Sequence, residues 1–441
     1  MKNKLLILFV VFASITLLTG CSKPDPLTIW VGAESEEFYV EQMATYVANY
    51  RTENSEDFPY DISVKGVDTG TAAATFLEDT EAGADIFTVA HDNLGKLITG
   101  SSSIGPITDT ALLAQIQADN PQTFLNVIKG NVGGTEYTFG VPYIAQSLVL
   151  YYNKQFINEI QVRTWEGILE AAKTANKQAL SLTGTDGFNN SFLLLARSAV
   201  TKETSLRLYK DGEIMNNYAT GDDTLSVLKW GQRFFTDENG AKRPTDSGWQ
   251  VELKNEESLS VISGAWHFNA AQAALGSNLG ITVLPTFTIT EDDVYGDFVA
   301  GTVMQSGTFA DAKMFVMKKN SDKADYLQDI LAYLSSKEMQ EASYDAVANL
   351  PAYKNASTEF ASMTGTSIEA QLATAQIQMF EYGIPQPFGF DNKFNFYYYS
   401  KGGPELILEI LENDGDRFNT DASILAQMLI VENIWRTGNQ A

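Results

Sequence analysis

Cysteine is almost absent from this chain: Cys21 is the only one in 441 residues. A lone thiol excludes an intrachain disulfide and a thiolate metal cluster. Histidine is nearly as scarce, and His91 and His267 have no helical metal-ligand spacing, so no metal centre is expected. Positive charge is in deficit, with 30 basic against 55 acidic residues and a formal net charge of −25. That balance excludes nucleic acid as a partner, and because the acidity is spread along the chain it reads as a solubilising surface. After the first 20 residues no apolar run is long enough to cross a bilayer. Fixed-period repeats, low-complexity segments, a Gly-x-Ser-x-Gly elbow and a glycine-rich phosphate loop are all missing. Asp414-Gly415-Asp416 followed by Asp421 has the flavour of a calcium loop, yet its glycine falls at the second place and Leu425 stands where the closing glutamate belongs. A surface turn is the expected reading.

What is present begins with a leader. Lys2 and Lys4 precede an apolar run from Leu5 to Leu18, and Leu18-Thr19-Gly20 leads directly into Cys21. This is the grammar of a signal peptide over residues 1–20, with Cys21 as a lipid-attachment site, a linker over 21–26 and a mature chain tethered at the extracytoplasmic face of the cell membrane. Apolar residues make up 44% and aromatics 11% of the chain, which excludes disorder as its main state and allows two or three full cores.

Strands and amphipathic helices alternate from the start. Leu27–Val31, Ile62 with Val64, and Asp85–Ala90 read as strands; Glu36–Arg51 and Ala72–Leu77 read as helices between them. The near-continuous hydrophobicity of Asp85–Ala90 is that of a strand buried on both faces. Gly140–Asn153 contains two extended pieces, and Thr164 is the N-cap of a helix opening at Trp165. Helical spacing recurs over Phe192–Ala199, Leu225–Phe235, Lys323–Leu334, Gly402–Leu411 and Ser423–Trp435, while Ile281–Leu284 is a strand stopped by Pro285. The rhythm starts twice, so an α/β chain of two lobes is expected, each a sheet with parallel strands flanked by helices.

Three segments carry a family resemblance: Asp85-Ile86-Phe87-Thr88-Val89-Ala90-His91-Asp92; Tyr143 to Lys154, with Thr164-Trp165-Glu166 after it; and Ser263-Gly264-Ala265-Trp266-His267-Phe268, continuing through Gly280 to Phe287. Together they resemble the maltose and maltodextrin-binding proteins of ABC importers, over essentially the whole mature chain. The resemblance implies a type II periplasmic-binding-protein-like fold, a cleft that closes on ligand, and delivery to membrane permease subunits by a monomer without cofactor or catalytic residue. Projected onto this chain, lobe one is 27–144 with 313–357, lobe two is 145–305 with 358–441, and 306–312 is a hinge crossover.

A glucan offers apolar C–H faces and a rim of hydroxyls, so its site needs flat rings and fixed polar groups, set outside the carboxyl ends of strands. Trp266, after a turn of small residues, is the main expected platform, with Phe268 nearby. Asp92 and Glu34, just past strands, are the expected hydroxyl acceptors. Asp186 and Phe188 stand where the family tends to place an acid and an aromatic, Gln146 where some relatives carry an acid, and Tyr143 beside the crossover. Tyr397 and Tyr398 belong to a late aromatic cluster that offers further rings. The chain departs from the family at Val89 and Asn93, where a Trp and an Arg are familiar. His91 is expected to orient a strand end or sit satisfied in the core. Two other readings stay open here: capture of another oligosaccharide, a polyol or a glycerol phosphate, and a lipid-anchored glycoside hydrolase, which needs a pair of flanking carboxylates.

Overall fold

The computed structural model describes residues 25–98, 102–185, 187–200, 209–210, 213–214, 221–356, 359, 367–384 and 402–437. Cys21 lies outside them. Two sheets organise the fold, each with its own core. The first has six strands: Ile62–Gly66, Leu27–Val31, Ile86–Ala90 and Asp311–Lys318 run side by side, and beyond the last of these lie Ile104–Gly105 and Gly140–Gln146, sharing its free edge. The first three are parallel, as their alternation with helices requires, but Asp311–Lys318 enters antiparallel to Ile86–Ala90. The sheet is therefore mixed, because a segment from late in the chain completes it. The second sheet orders Ala241–Lys242, Leu180–Ser181, Ser260–Ser263, Val149–Asn153 and Leu279–Thr282.

Local sequence explains many of the elements. Leu27–Val31 alternates buried and partly exposed residues, whereas Ile86–Ala90 is buried along nearly its whole length in the sheet interior. Thr164 caps the helix Trp165–Ala175 by accepting from the Gly167 amide at 3.0 Å. Trp165 at its first turn is fully buried against Phe192 and Phe234, and its indole N–H donates to Ser306 Oγ at 2.9 Å. The late helices Gly403–Glu412 and Asp421–Thr437 pack on Asp222–Thr236 in the second core. Ile368–Tyr382 lies between the halves, placing Ala373 and Ile377 in the first core and Met379 in the second.

One expectation fails locally. Phe192–Ala199 is a run of turns leading into the short strand Arg197–Ser198. Phe192 to Ala196 are all buried, so the segment has no solvent face to give a helix its polar side.

Among the described residues, two of the crossovers between the sheets lie side by side. Gly140–Gln146 stays with the first sheet and Val149–Asn153 opens in the second; Ser306 to Ala310 returns the chain to Asp311–Lys318. The crossovers touch where the Leu148 amide donates to Thr308 Oγ1 at 3.0 Å, and Ser147, Ser306 and Thr308 are buried.

Candidate functional site

The carboxyl ends of parallel strands from both sheets converge on one cavity of about 450 Å³. From the first sheet come Glu34, beyond Leu27–Val31; Asp68, Thr69 and Gly70, beyond Ile62–Gly66; and Asp92, Asn93 and Lys96, beyond Ile86–Ala90. Asp311–Lys318 runs the other way and presents its opening residues Asp311 and Lys313, beside Gln146 at the end of its neighbour. The facing wall belongs to the second sheet: Phe188 and Asn189 follow Leu180–Ser181, and Trp266 follows Ser260–Ser263. Larger hollows of about 650 and 770 Å³ lie elsewhere among ion-paired side chains such as Arg233 with Asp293 and Lys323 with Asp85, and neither carries a tryptophan.

The second-sheet wall is aromatic. Trp266 and Phe188 have ring centroids 6.0 Å apart, and Phe188 stacks at 5.9 Å on the buried Phe309 of the crossover. Gly264 makes the Trp266 pose possible, since a Cβ there would collide with the indole's six-membered ring. His267 is held beside it by Ser263 Oγ at 2.7 Å from Nδ1 and lies against Trp249; burial lowers its pKa, with Glu34 and Asp68 across the cleft pulling upward.

The first-sheet wall is polar. Asp92 Oδ1 accepts from Asn93 Nδ2 at 3.0 Å, and Lys96 Nζ donates to Asn93 Oδ1 at 3.0 Å. Lys96, one turn after Asn93, thus brings a cation to this wall through the Asn93 side-chain amide. Burial, aided by the neighbouring Asp311, pushes the Asp92 carboxyl up to about 6. Beneath it His91 is 1% exposed, and its Nδ1 accepts from the Ala312 amide at 3.4 Å, which ties the strand ends together. Glu34 Oε1 lies 3.3 Å from Lys313 Nζ. Two buried oxygens at the cavity, Gln146 Oε1 and Thr69 Oγ1, have no hydrogen-bond partner among the described residues. A buried acceptor left open is costly unless something else fills it.

Of the ten ligand-binding residues expected from the sequence, the structure brings Glu34, Asp92, Gln146, Phe188 and Trp266 to this cavity. It does not bring Tyr143 or Phe268 there. Tyr143 is 3% exposed within the first core, 4.1 Å from the Phe315 ring, and burial raises its phenol well above the ordinary range. Gly140–Gln146 is buried along its whole length, and Tyr143, Ile144 and Ala145 all join the first core. Phe268 is 6% exposed and opens the helix Phe268–Leu275 with its ring packed inward. Asp186, Tyr397 and Tyr398 lie outside the described residues. The sequence reading missed Asp68, Thr69, Lys96, Asn189, Asp311 and Lys313. Asp68 had a local signal, since its carboxylate accepts from the Thr71 amide at 3.0 Å in the turn before a helix; Lys313, inside an apolar strand, had none. No group of histidine, cysteine and carboxylate side chains suited to a metal ion occurs among the described residues.

Two α/β lobes, linked by paired crossovers and enclosing a cavity with one aromatic and one polar wall, define a receptor for a small solute. A family model described as bacterial extracellular solute-binding protein matches residues 45–373, and the chain belongs to that family. A maltooligosaccharide ABC transporter solute-binding lipoprotein of Streptococcus pneumoniae serotype 4 is 23% identical over 391 residues, covering 84% of this chain and 81% of the relative. Among solved structures, the maltodextrin-binding protein of L. casei BL23 without ligand superposes with a TM-score of 0.67 at 17% identity, over 93% of this chain and 99% of its own. The maltose-binding periplasmic protein of Listeria monocytogenes in complex with maltose gives 0.66 at 16% identity, over 94% and 99%. These likenesses establish the two-lobed fold.

Proposed function

We propose that this chain captures maltose or a short maltodextrin outside the cytoplasmic membrane, held there by lipid on Cys21, and hands it as a monomer to the permease of an ABC importer without chemical change. The observation that carries the reading is the cavity itself: Trp266 and Phe188 face Glu34, Asp92 and Gln146 across the gap between two lobes. An indole takes the apolar face of a pyranose, while carboxylates and an open amide oxygen take its hydroxyls. Asp68 and Asp311 add acceptors, and four carboxylates against Lys96 and Lys313 favour an uncharged cargo over a phosphorylated one. The maltooligosaccharide relative supports the cargo class.

Capture needs the lobes to approach each other about the crossovers near Ser147 and Thr308. Ligand drives that motion only by touching both walls, because equal affinity for open and closed forms shifts nothing. A disaccharide of roughly 23 non-hydrogen atoms at about 0.3 kcal/mol each gains about 7 kcal/mol, a micromolar dissociation constant. That strength suits capture followed by release. The test is calorimetric titration of the chain from Ser22 onward, which keeps every residue of the described cores, with glucose, maltose, maltotriose, longer dextrins, trehalose and glycerol phosphate. Heat with the α-glucans is expected; silence with all of them, or turnover of any glycan, refutes the reading.

A further inference from the structure

Carbohydrate capture gives no role to Lys313. It stands third in Asp311–Lys318, where Ala312, Met314, Phe315, Val316 and Met317 are apolar and buried, and its own side chain is only 9% exposed. Pairing with Gly140–Gln146 slips between Lys313 and Met314, an irregularity of the kind that re-aims a side chain beside a site. The re-aimed ammonium lies 3.3 Å from Glu34 Oε1 and 5.9 Å over the centroid of the Trp266 ring. Glu34 belongs to the first sheet and Trp266 to the second, so one cation touches both halves of the molecule.

The position of that ammonium has a consequence for ligand. Trp266 already rests its six-membered ring against Gly264, and Lys313 lines the cavity that the indole faces. A pyranose stacking in van der Waals contact with the indole would fill the space between ring and ammonium. Sugar and ammonium therefore compete for one platform, and both draw on Glu34, the sugar through its hydroxyls.

Resting on the saccharide reading of the cleft, we propose that Lys313 is an internal occupant of the Trp266 platform: in the free protein it tethers the two lobes, and ligand binding is an exchange in which the sugar displaces the ammonium. The cation–π contact is then a cost of binding. Removing the charge while keeping the apolar stem spares packing and releases both Trp266 and Glu34.

The experiment compares the chain from Ser22 onward with Lys313→Met, Lys313→Gln and Lys313→Arg, by small-angle scattering without ligand and by calorimetry with maltotriose. Both neutral variants are expected to show a larger ligand-free radius of gyration and to bind maltotriose roughly two- to fivefold more tightly, the factor a cation–π contact on a partly exposed ring represents; Arg, which keeps the cation, tracks the parent. Unchanged or weaker binding in both neutral variants overturns the exchange, whatever the scattering shows. If the parent binds no α-glucan, the saccharide reading fails and scattering alone decides the tether: expansion in the neutral variants supports it, superposable profiles overturn it. Melting curves verify that each variant is folded, and the Gln variant serves should Met misfold.

Discussion

Replacing Trp266 by Ala removes the largest apolar surface of the cavity. The side chain is only partly buried, at the margin of the second core, and its nearest aromatic partner, Phe188, remains in place on Phe309. A sugar face stacked on the indole hides about 40 Å² of apolar surface on each partner, which at about 25 cal/mol per Å² is about 2 kcal/mol. Dissociation constants should therefore rise roughly 30-fold for maltose and maltotriose alike. Trp266→Phe, which keeps a smaller ring, should lose less than tenfold. Isothermal titration of both variants measures this directly, with thermal melting as the control, because a margin residue should cost the fold little. The reasoning is refuted if Trp266→Ala binds within twofold of the parent, or if the Phe variant is as impaired as the Ala variant, since either result means that no ring stacks there.

Five other outcomes are expected. The Asp92 carboxyl, raised to about 6 mainly by burial, keeps its proton in the folded chain between its ordinary 3.8 and about 6 while the unfolded chain loses it; stability should thus fall as pH rises through that window, by up to about 3 kcal/mol, and Asp92→Asn should flatten the profile in denaturant titrations at pH 4 and pH 7. Because only the ionised group is a pure acceptor, maltotriose affinity should weaken as pH drops below about 6 in the parent and not in Asp92→Asn, read by calorimetry across pH. Gln146→Ala should cost binding about 1–2 kcal/mol with little change in melting temperature, because its Oε1 has no partner to lose among the described residues. Trp165→Ala, which empties a fully buried site in the second core, should destabilise by about 3–5 kcal/mol in urea. Cys21→Ala should abolish labelling by a radioactive fatty acid and free the protein from the membrane fraction; retention of both overturns the anchor.

Local chemistry wrote much of this protein in a form that can be read directly. The period-two burial of Leu27–Val31, the apolar run at Ile86–Ala90 and the Thr164 cap depend on neighbours within a few residues, and each falls where its pattern predicts. The same local logic places half of the expected residues at the cavity. Glu34, Asp92 and Trp266 stand just past strands, and strand ends are where an open α/β sheet exposes side chains to a cleft. Tyr143 and Phe268 share that neighbourhood in the chain but not the cavity, because a strand buried along its whole length and the inner face of one helix hold them in cores.

What the chain could not announce is whatever depends on partners hundreds of residues away. Asp311–Lys318 completes the first sheet against Ile86–Ala90, and only that pairing brings Asp311 beside Asp92 and carries Lys313 to Glu34, 279 residues earlier. Phe192–Ala196 has apolar spacing that a helix could use, yet burial on all sides folds it into turns. Composition and periodicity set the class of fold and the kind of residue at each strand end. Which of those residues meet, how far their charges shift and which ring lies under which cation followed from the assembly of two sheets around one gap, since distance and desolvation are properties of packed neighbours and not of sequence neighbours.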